Sequence, residues 1–188
     1  LDAPGCLWCK GDLTLLERPK ISLVGSRELK DPNKAFAREV GRQAALQGYV
    51  LVSGNAKGAD KCAQEACLEA GGSVISVVAD SLQKQELREK VLYLSLDEFD
   101  REFSPQRALH RNHVIHSMAS LTIAAQCTLG KGGTWDGTAK NLHFGWSPVV
   151  CFRDGSKASR ELEQMGAYLI GMEDLEEFRD LPEQTAFF

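Results

Sequence analysis

Four short stretches of this 188-residue chain place residue types that can do chemistry at close spacing. Gly25-Ser26-Arg27 combines backbone that can approach a ligand closely, a hydroxyl, and a guanidinium able to grip a phosphate through two parallel hydrogen bonds. Ser53-Gly54-Asn55-Ala56-Lys57-Gly58-Ala59-Asp60 enters a helical pattern, so the first amides of that helix would face the same ligand. Its candidate contacts are Gly54, Asn55 and Lys57; Asp60 also reads as an acid favoured in the first helical turn, and Lys57 as a solvated loop cation. The third stretch, Gly130-Lys131-Gly132-Gly133-Thr134 continuing to Thr138, holds four glycines in eight residues, and a backbone anion cradle is its simplest reading. It is not a P-loop, because no Gly-Lys-Ser/Thr closes it at the required spacing. The fourth runs from Arg107 through Arg111-Asn112 to His116. Helical geometry puts Arg107 and Arg111 on one face, and Asn112 and His116 on another. Histidines 110, 113 and 116 have no carboxylate among them, so phosphate or polar contacts are expected there and no metal.

These stretches need a scaffold that brings strand ends together. Short β-rich runs at Ile21–Val24, Tyr49–Ser53, Ser73–Val78, Val91–Leu96, Leu121–Ala125 and Pro148–Phe152 alternate with longer amphipathic runs. Asn33 to Gln47 reads as a helix with Phe36, Val40 and Ala44 on one face. Gly58 to Ala70 follows, with a small-residue stripe of Ala59, Ala63, Ala66 and Ala70, and Gly71-Gly72 ends it. Further helices are expected at Gln83–Lys90, at Ala108–Met118, after Gly133, near Ser156–Met165 and briefly around Glu173–Phe178. The pattern predicts an α/β fold: a doubly wound, mainly parallel sheet with helices on both faces. A single domain spans 1–188, with an N-terminal strand extension over 1–17 and an acidic tail over 172–188, where exposed Phe187 and Phe188 hint at a contact surface. In such a sheet, ligands sit at the carboxyl ends of the strands.

Bulk numbers set bounds on the partner. The formal charge of −4 argues at first against a polyanion, but its distribution softens the objection. Residues 160–188 hold eight acidic and two basic side chains, so that segment carries −6 and the remainder +2. An acidic end can coexist with a local anion site because screening confines charge effects to roughly 10 Å. No membrane-spanning run and no signal-peptide pattern is seen, and a cytoplasmic protein is expected. Of six cysteines, four lie in apolar segments; Cys6-Leu-Trp-Cys9 has metal or redox spacing without a second pair, and a structural role is expected for it.

Taken in order, these elements resemble the DNA-processing protein A (DprA/Smf) family. The resemblance rests on Leu7-Trp8-Cys9-Lys10-Gly11-Asp12-Leu13, Val24-Gly25-Ser26-Arg27, Val52-Ser53-Gly54 with Ala56, Gly58 and Asp60, then Gly71-Gly72, Arg111-Asn112, and the glycine-rich loop ending in Thr138-Ala139. It covers roughly residues 5–155. It implies a Rossmann-like domain that binds single-stranded DNA without catalysis or cofactor, dimerises, and works with a RecA-type recombinase. The matching positions are Gly25, Ser26, Arg27, Lys57, Arg111, Asn112 and Gly130–Thr134. Gly-Gly-Thr-Trp resembles a divergent branch of the family. The same fold class houses nucleotide-ligand sensors and the lysine-decarboxylase-like (LOG) phosphoribohydrolases, which carry Pro-Gly-Gly-x-Gly-Thr-x-x-Glu. Aligning either Gly133-Thr134 or Gly137-Thr138 on that motif puts Gly137 or Asn141 at the glutamate, and Asp136 falls one residue out of place. The acid–base carboxylate is therefore missing from its position.

Overall fold

The computed structural model describes residues 4–181, and the architecture is one eight-stranded sheet. Its strands are β1 (Trp8–Gly11), β2 (Lys20–Val24), β3 (Val50–Ser53), β4 (Ser73–Val77), β5 (Val91–Ser95), β6 (Thr122–Ala124), β7 (Val149–Phe152) and β8 (Tyr168–Ile170). They lie in the order β1-β5-β4-β3-β2-β6-β7-β8. Every pairing is parallel except β1, which runs antiparallel along β5 with Trp8 opposite Ser95. The long crossover from β5 to β6 carries the chain past β2, so strand order reverses between β2 and β6. That reversal opens a crevice at their carboxyl ends, where Gly25 and Ala125 leave the sheet.

Among the described residues six α-helices flank the sheet: α1 (Asp31–Leu46), α2 (Ala59–Glu69), α3 (Pro105–His110), α4 (Asn112–Ser117), α5 (Gly132–Phe144) and α6 (Lys157–Gln164). One apolar layer packs Phe36, Val40 and Ala44 of α1 and Ala59 and Ala63 of α2 against Ile21, Leu23, Leu51 and Ile123. The opposite layer joins Val114 and Ile115 of α4, Leu142 of α5 and Leu162 of α6 to Val52, Ile75, Leu92 and Val149. The small-residue stripe lets α1 and α2 approach until Gly41 meets the backbone of Ala63. A Cβ on Gly41 would sit 2.0 Å from the Ala63 carbonyl oxygen. Gly41→Ala is expected to lose about 2 kcal/mol or more, steric cost outweighing alanine's helix propensity, read as a lower urea midpoint. Buried Gln64 ties the α2 side of the sheet together, donating to Ser53 Oγ at 2.6 Å and Ser76 Oγ at 3.3 Å.

Several expectations need correction. Gln83–Lys90 is a series of turns and bends, because Lys10 Nζ takes the carbonyls of Leu82, Gln83 and Gln85 that a helix would use internally. The helix expected over Ala108–Met118 begins earlier, at Pro105 behind the cap of Ser104 Oγ on Arg107 N–H, and is broken in two at Arg111. Three-residue β8 escaped the reading altogether. The acidic tail is not free as far as Leu181: Leu175, Phe178 and Leu181 join the α1 layer, and the Gln47 amide pairs with Leu175 O and Phe178 N, each at 2.8 Å. Phe187 and Phe188 lie outside the described residues. Cys6 and Cys9 are exposed rather than packed, whereas Cys67 and Cys151 are buried. Among the described residues no helix is long and apolar enough to cross a membrane.

Candidate nucleic-acid interface

An open cleft of about 960 Å³ occupies the crevice where strand order reverses. Gly25, Ser26 and Arg27 form one wall, directly after β2. That turn is held from both sides. Ser26 donates its N–H (2.9 Å) and hydroxyl (3.2 Å) to Gln126 O, and its own carbonyl accepts the Ala59 N–H at 3.1 Å. Gln126 also accepts the Lys30 N–H and donates to Glu28 O, clamping the loop that carries Arg27. Gly25 cannot carry a side chain here, since a Cβ would stand 2.4 Å from that of Ala59. At Gly25 only backbone can face the cleft.

The facing wall is the start of α5. Gly132, Gly133 and Thr134 are its first turn, not a loop ahead of it, and Lys131 is the N-cap residue without a side-chain capping bond. The first-turn amides are therefore left without a capping side chain at the cleft, with the positive end of the helix dipole behind them. Gly132 has φ +82, a conformation that favours glycine. Gly133 and Gly137 serve packing: a Cβ on them would lie 3.2 Å from Leu109 and 3.0 Å from His116 respectively. Asn112 Nδ2 donates to Gly133 O at 3.0 Å and locks α4 to this turn.

Arg111 and His116 make the inner end. Arg111 lines the cleft yet is only 7% exposed, and its Nε and Nη1 have no hydrogen-bond partner among the described residues. Its guanidinium lies against bare backbone, where a Cβ on Gly54 would come within 1.7 Å of Nη1. Burial pushes the Asp60 carboxyl up and the Arg111 guanidinium down, and each group's charge pulls the other back toward its ionised form. Asp60 also accepts the Ala56 N–H at 3.1 Å. His116 is fully buried and its imidazole is pushed down to about 3 by burial, so it is neutral. Asn141 Nδ2 donates to its Nδ1 at 3.2 Å, which makes Nδ1 the acceptor and leaves the proton on Nε2 without a partner among the described residues.

Of the residues singled out from sequence, Gly25, Ser26, Arg27, Arg111, Asn112, Lys131, Gly132, Gly133 and Thr134 meet at this cleft. Gly54 supports it from beneath the Arg111 guanidinium. Asn55, Lys57, Arg107 and Gly130 do not line it. Asn55 turns the chain with φ +59, Lys57 is exposed outside the cleft lining, and Arg107 is held by Asp97 at 2.6 Å. Gly130 bends the chain with φ +66 one residue before Lys131. The lining also includes Glu28, Asp60, Gln126, Asp136 and Lys140, which sequence reading did not select. Gln126 comes two residues after β6, at the end of the run Leu121–Ala125 read as a strand from sequence, and that position was the available signal. The cleft is thus less electropositive than expected: Arg27, Arg111, Lys131 and Lys140 share it with Glu28, Asp60 and Asp136. Asp136 is tied to Lys140 at 2.9 Å.

Comparison with known proteins follows this geometry. The profile of the family DNA recombination-mediator protein A matches residues 1–180. DNA processing protein DprA of Bacillus subtilis (strain 168) is 31% identical over 136 residues, 66% of this chain and 46% of that protein. Its counterpart in Streptococcus pneumoniae is 42% identical over 85 residues, 43% of this chain and 28% of the other. The chain spans less than half the length of these curated relatives. The solved structure of DNA processing protein A from Streptococcus pneumoniae superposes with a TM-score of 0.82 and 27% identity over 93% of this chain and 66% of its own. A Helicobacter pylori structure, reported for the single-stranded DNA binding mode of DNA processing protein A, gives 0.80 and 26% over 93% of this chain and 85% of its own. The molybdenum cofactor carrier protein of Chlamydomonas reinhardtii, at 20% identity and TM-score 0.61, shares the fold. With the profile matching nearly the whole chain, this protein belongs to the DNA recombination-mediator protein A family.

Proposed function

We propose that this chain binds single-stranded DNA, without catalysis, in the cleft between β2 and α5. The observation that carries the reading is the meeting of Arg27, Lys131, Arg111 and the first amides of α5 at one open crevice. Guanidinium and ammonium groups neutralise phosphates while backbone amides fix the strand's position, without reading its sequence. The Helicobacter pylori relative's reported DNA-binding mode supports the same ligand class. A non-catalytic role fits the carboxylates: Asp136 is engaged by Lys140, and Asp60 is buried and bonded to Ala56 N–H. By family, we also propose a homodimer acting in the cytoplasm beside a RecA-type recombinase.

The test is fluorescence anisotropy with a labelled oligothymidylate. Arg27→Ala is expected to weaken binding about ten-fold or more, the size of one or two lost charge-assisted hydrogen bonds. Binding of a mononucleotide but no oligonucleotide would replace this reading by a ligand sensor. Release of free base from a nucleoside monophosphate would replace it by a phosphoribohydrolase.

A further inference from the structure

Beside the cleft, five rings form a continuous chain over the surface of α3, α4 and the end of α5. Centroids are 5.2 Å apart from His110 to His113, 6.2 Å from His113 to Trp146, 5.5 Å from Trp146 to Phe144 and 4.7 Å from Phe144 to His143. Trp146 and Phe144 are stacked, with planes 18° apart. Phe144 is 59% exposed; His110 and His143 are exposed, and His113 and Trp146 half-buried. A core cluster would hide these rings, so packing does not account for them. The ladder meets the cleft through His116, which lines the cleft and lies 6.3 Å from Trp146.

Charge points to the occupant. From Phe103 to Arg153, 51 residues hold a single carboxylate, Asp136, against five arginines and lysines. The other 25 of the chain's 26 acidic residues lie elsewhere in the sequence; in space Asp97 pairs with Arg107, Asp136 with Lys140 and Glu173 with Arg153. The rings adjoin the cleft that holds Arg27, Arg111 and Lys131, and histidine-rich rings beside such cations suit a polyanion with flat faces. Resting on the cleft reading above, we propose that the ladder from His110 to Phe144 is a second nucleobase-stacking track, which takes the bases of a single strand as it leaves the cleft. Stacking tolerates any base because every base offers a π-face, so the track would lengthen the site without adding sequence preference.

The experiment compares labelled oligothymidylates of about six and about twenty nucleotides, lengths chosen to fill one single-strand site or to run beyond it. Phe144→Ala removes an exposed ring and leaves the core untouched. It is expected to weaken the longer oligomer about five-fold to a hundred-fold, as loss of one stacked base would. The shorter oligomer should bind as before, and Arg27→Ala should weaken both. The longer strand should quench tryptophan fluorescence more than the shorter, and Trp146→Phe should remove that excess while keeping affinity. Equal binding of the longer strand by wild type and Phe144→Ala overturns the track; if Arg27→Ala still weakens both lengths, the cleft reading stands. If no oligomer binds, both fall together.

Discussion

Acidification from about pH 6.5 toward about pH 3 is expected to remove about 4–5 kcal/mol of folding stability through His116 alone, at about 1.4 kcal/mol per pH unit. The imidazole falls from its ordinary 6.5 to about 3 in the folded protein, chiefly by burial, with Arg111 and His113 adding to the effect. Above the higher value neither state is protonated and the group contributes nothing. Below it the unfolded chain takes up a proton that the folded chain refuses, so stability falls as pH falls across that window. Urea unfolding at successive pH values is the measurement. His116→Gln should flatten the slope between about pH 6.5 and about pH 4, where ordinary carboxylates contribute little. An unchanged slope would show that the imidazole is hydrated or protonated in the native state.

Arg111→Ala is the second large effect, and it should strike stability and binding together. The substitution removes from buried Asp60 the charge that most strongly favours its ionised form, leaving Arg27 and the Ala56 and Gly54 amides to offset its desolvation, and a loss of about 1–3 kcal/mol is expected. The variant should recover part of that loss at acid pH, where Asp60 is protonated. Gly54→Ala probes the same guanidinium from below, since its Cβ would occupy the place of Nη1. Both variants should weaken oligonucleotide binding, and the double variant should be little worse than either single one, because both remove the same group. Additive losses in the double variant would show that Gly54 and Arg111 act separately.

Elements set by their own periodicity were legible from the residues. Phe36, Val40 and Ala44 announce the buried face of α1, and the apolar runs before Gly25, Gly54 and Gln126 announce parallel strands. Elements decided by distant partners were not. Gln83–Lys90 has a helical composition, but Lys10, far off in sequence, takes its carbonyls. The site divides the same way. Arg27 was selected because residue type and strand-end position coincide there, and Lys131 with its glycine turn because four glycines in eight residues stand before a helix, and the structure brings them to one cleft. Gln126 as clamp, and Asp60 as the charge coupled to Arg111, depend on contacts across the crevice that no spacing encodes. Lys57 and Arg107 show the converse. A basic residue in a suggestive motif can be turned outward, or held by a local acid such as Asp97.

The salt dependence of oligothymidylate binding tests the cleft most directly. Each phosphate neutralised on a single strand contributes about 0.7 to the slope of log affinity against log salt concentration. Wild type should give a negative slope, and Arg27→Ala and Lys131→Ala should each make it shallower by about 0.7 while lowering affinity. A slope and affinity unchanged in both variants would contradict the account, because the strand would then be held somewhere other than the crevice where β2 and α5 meet.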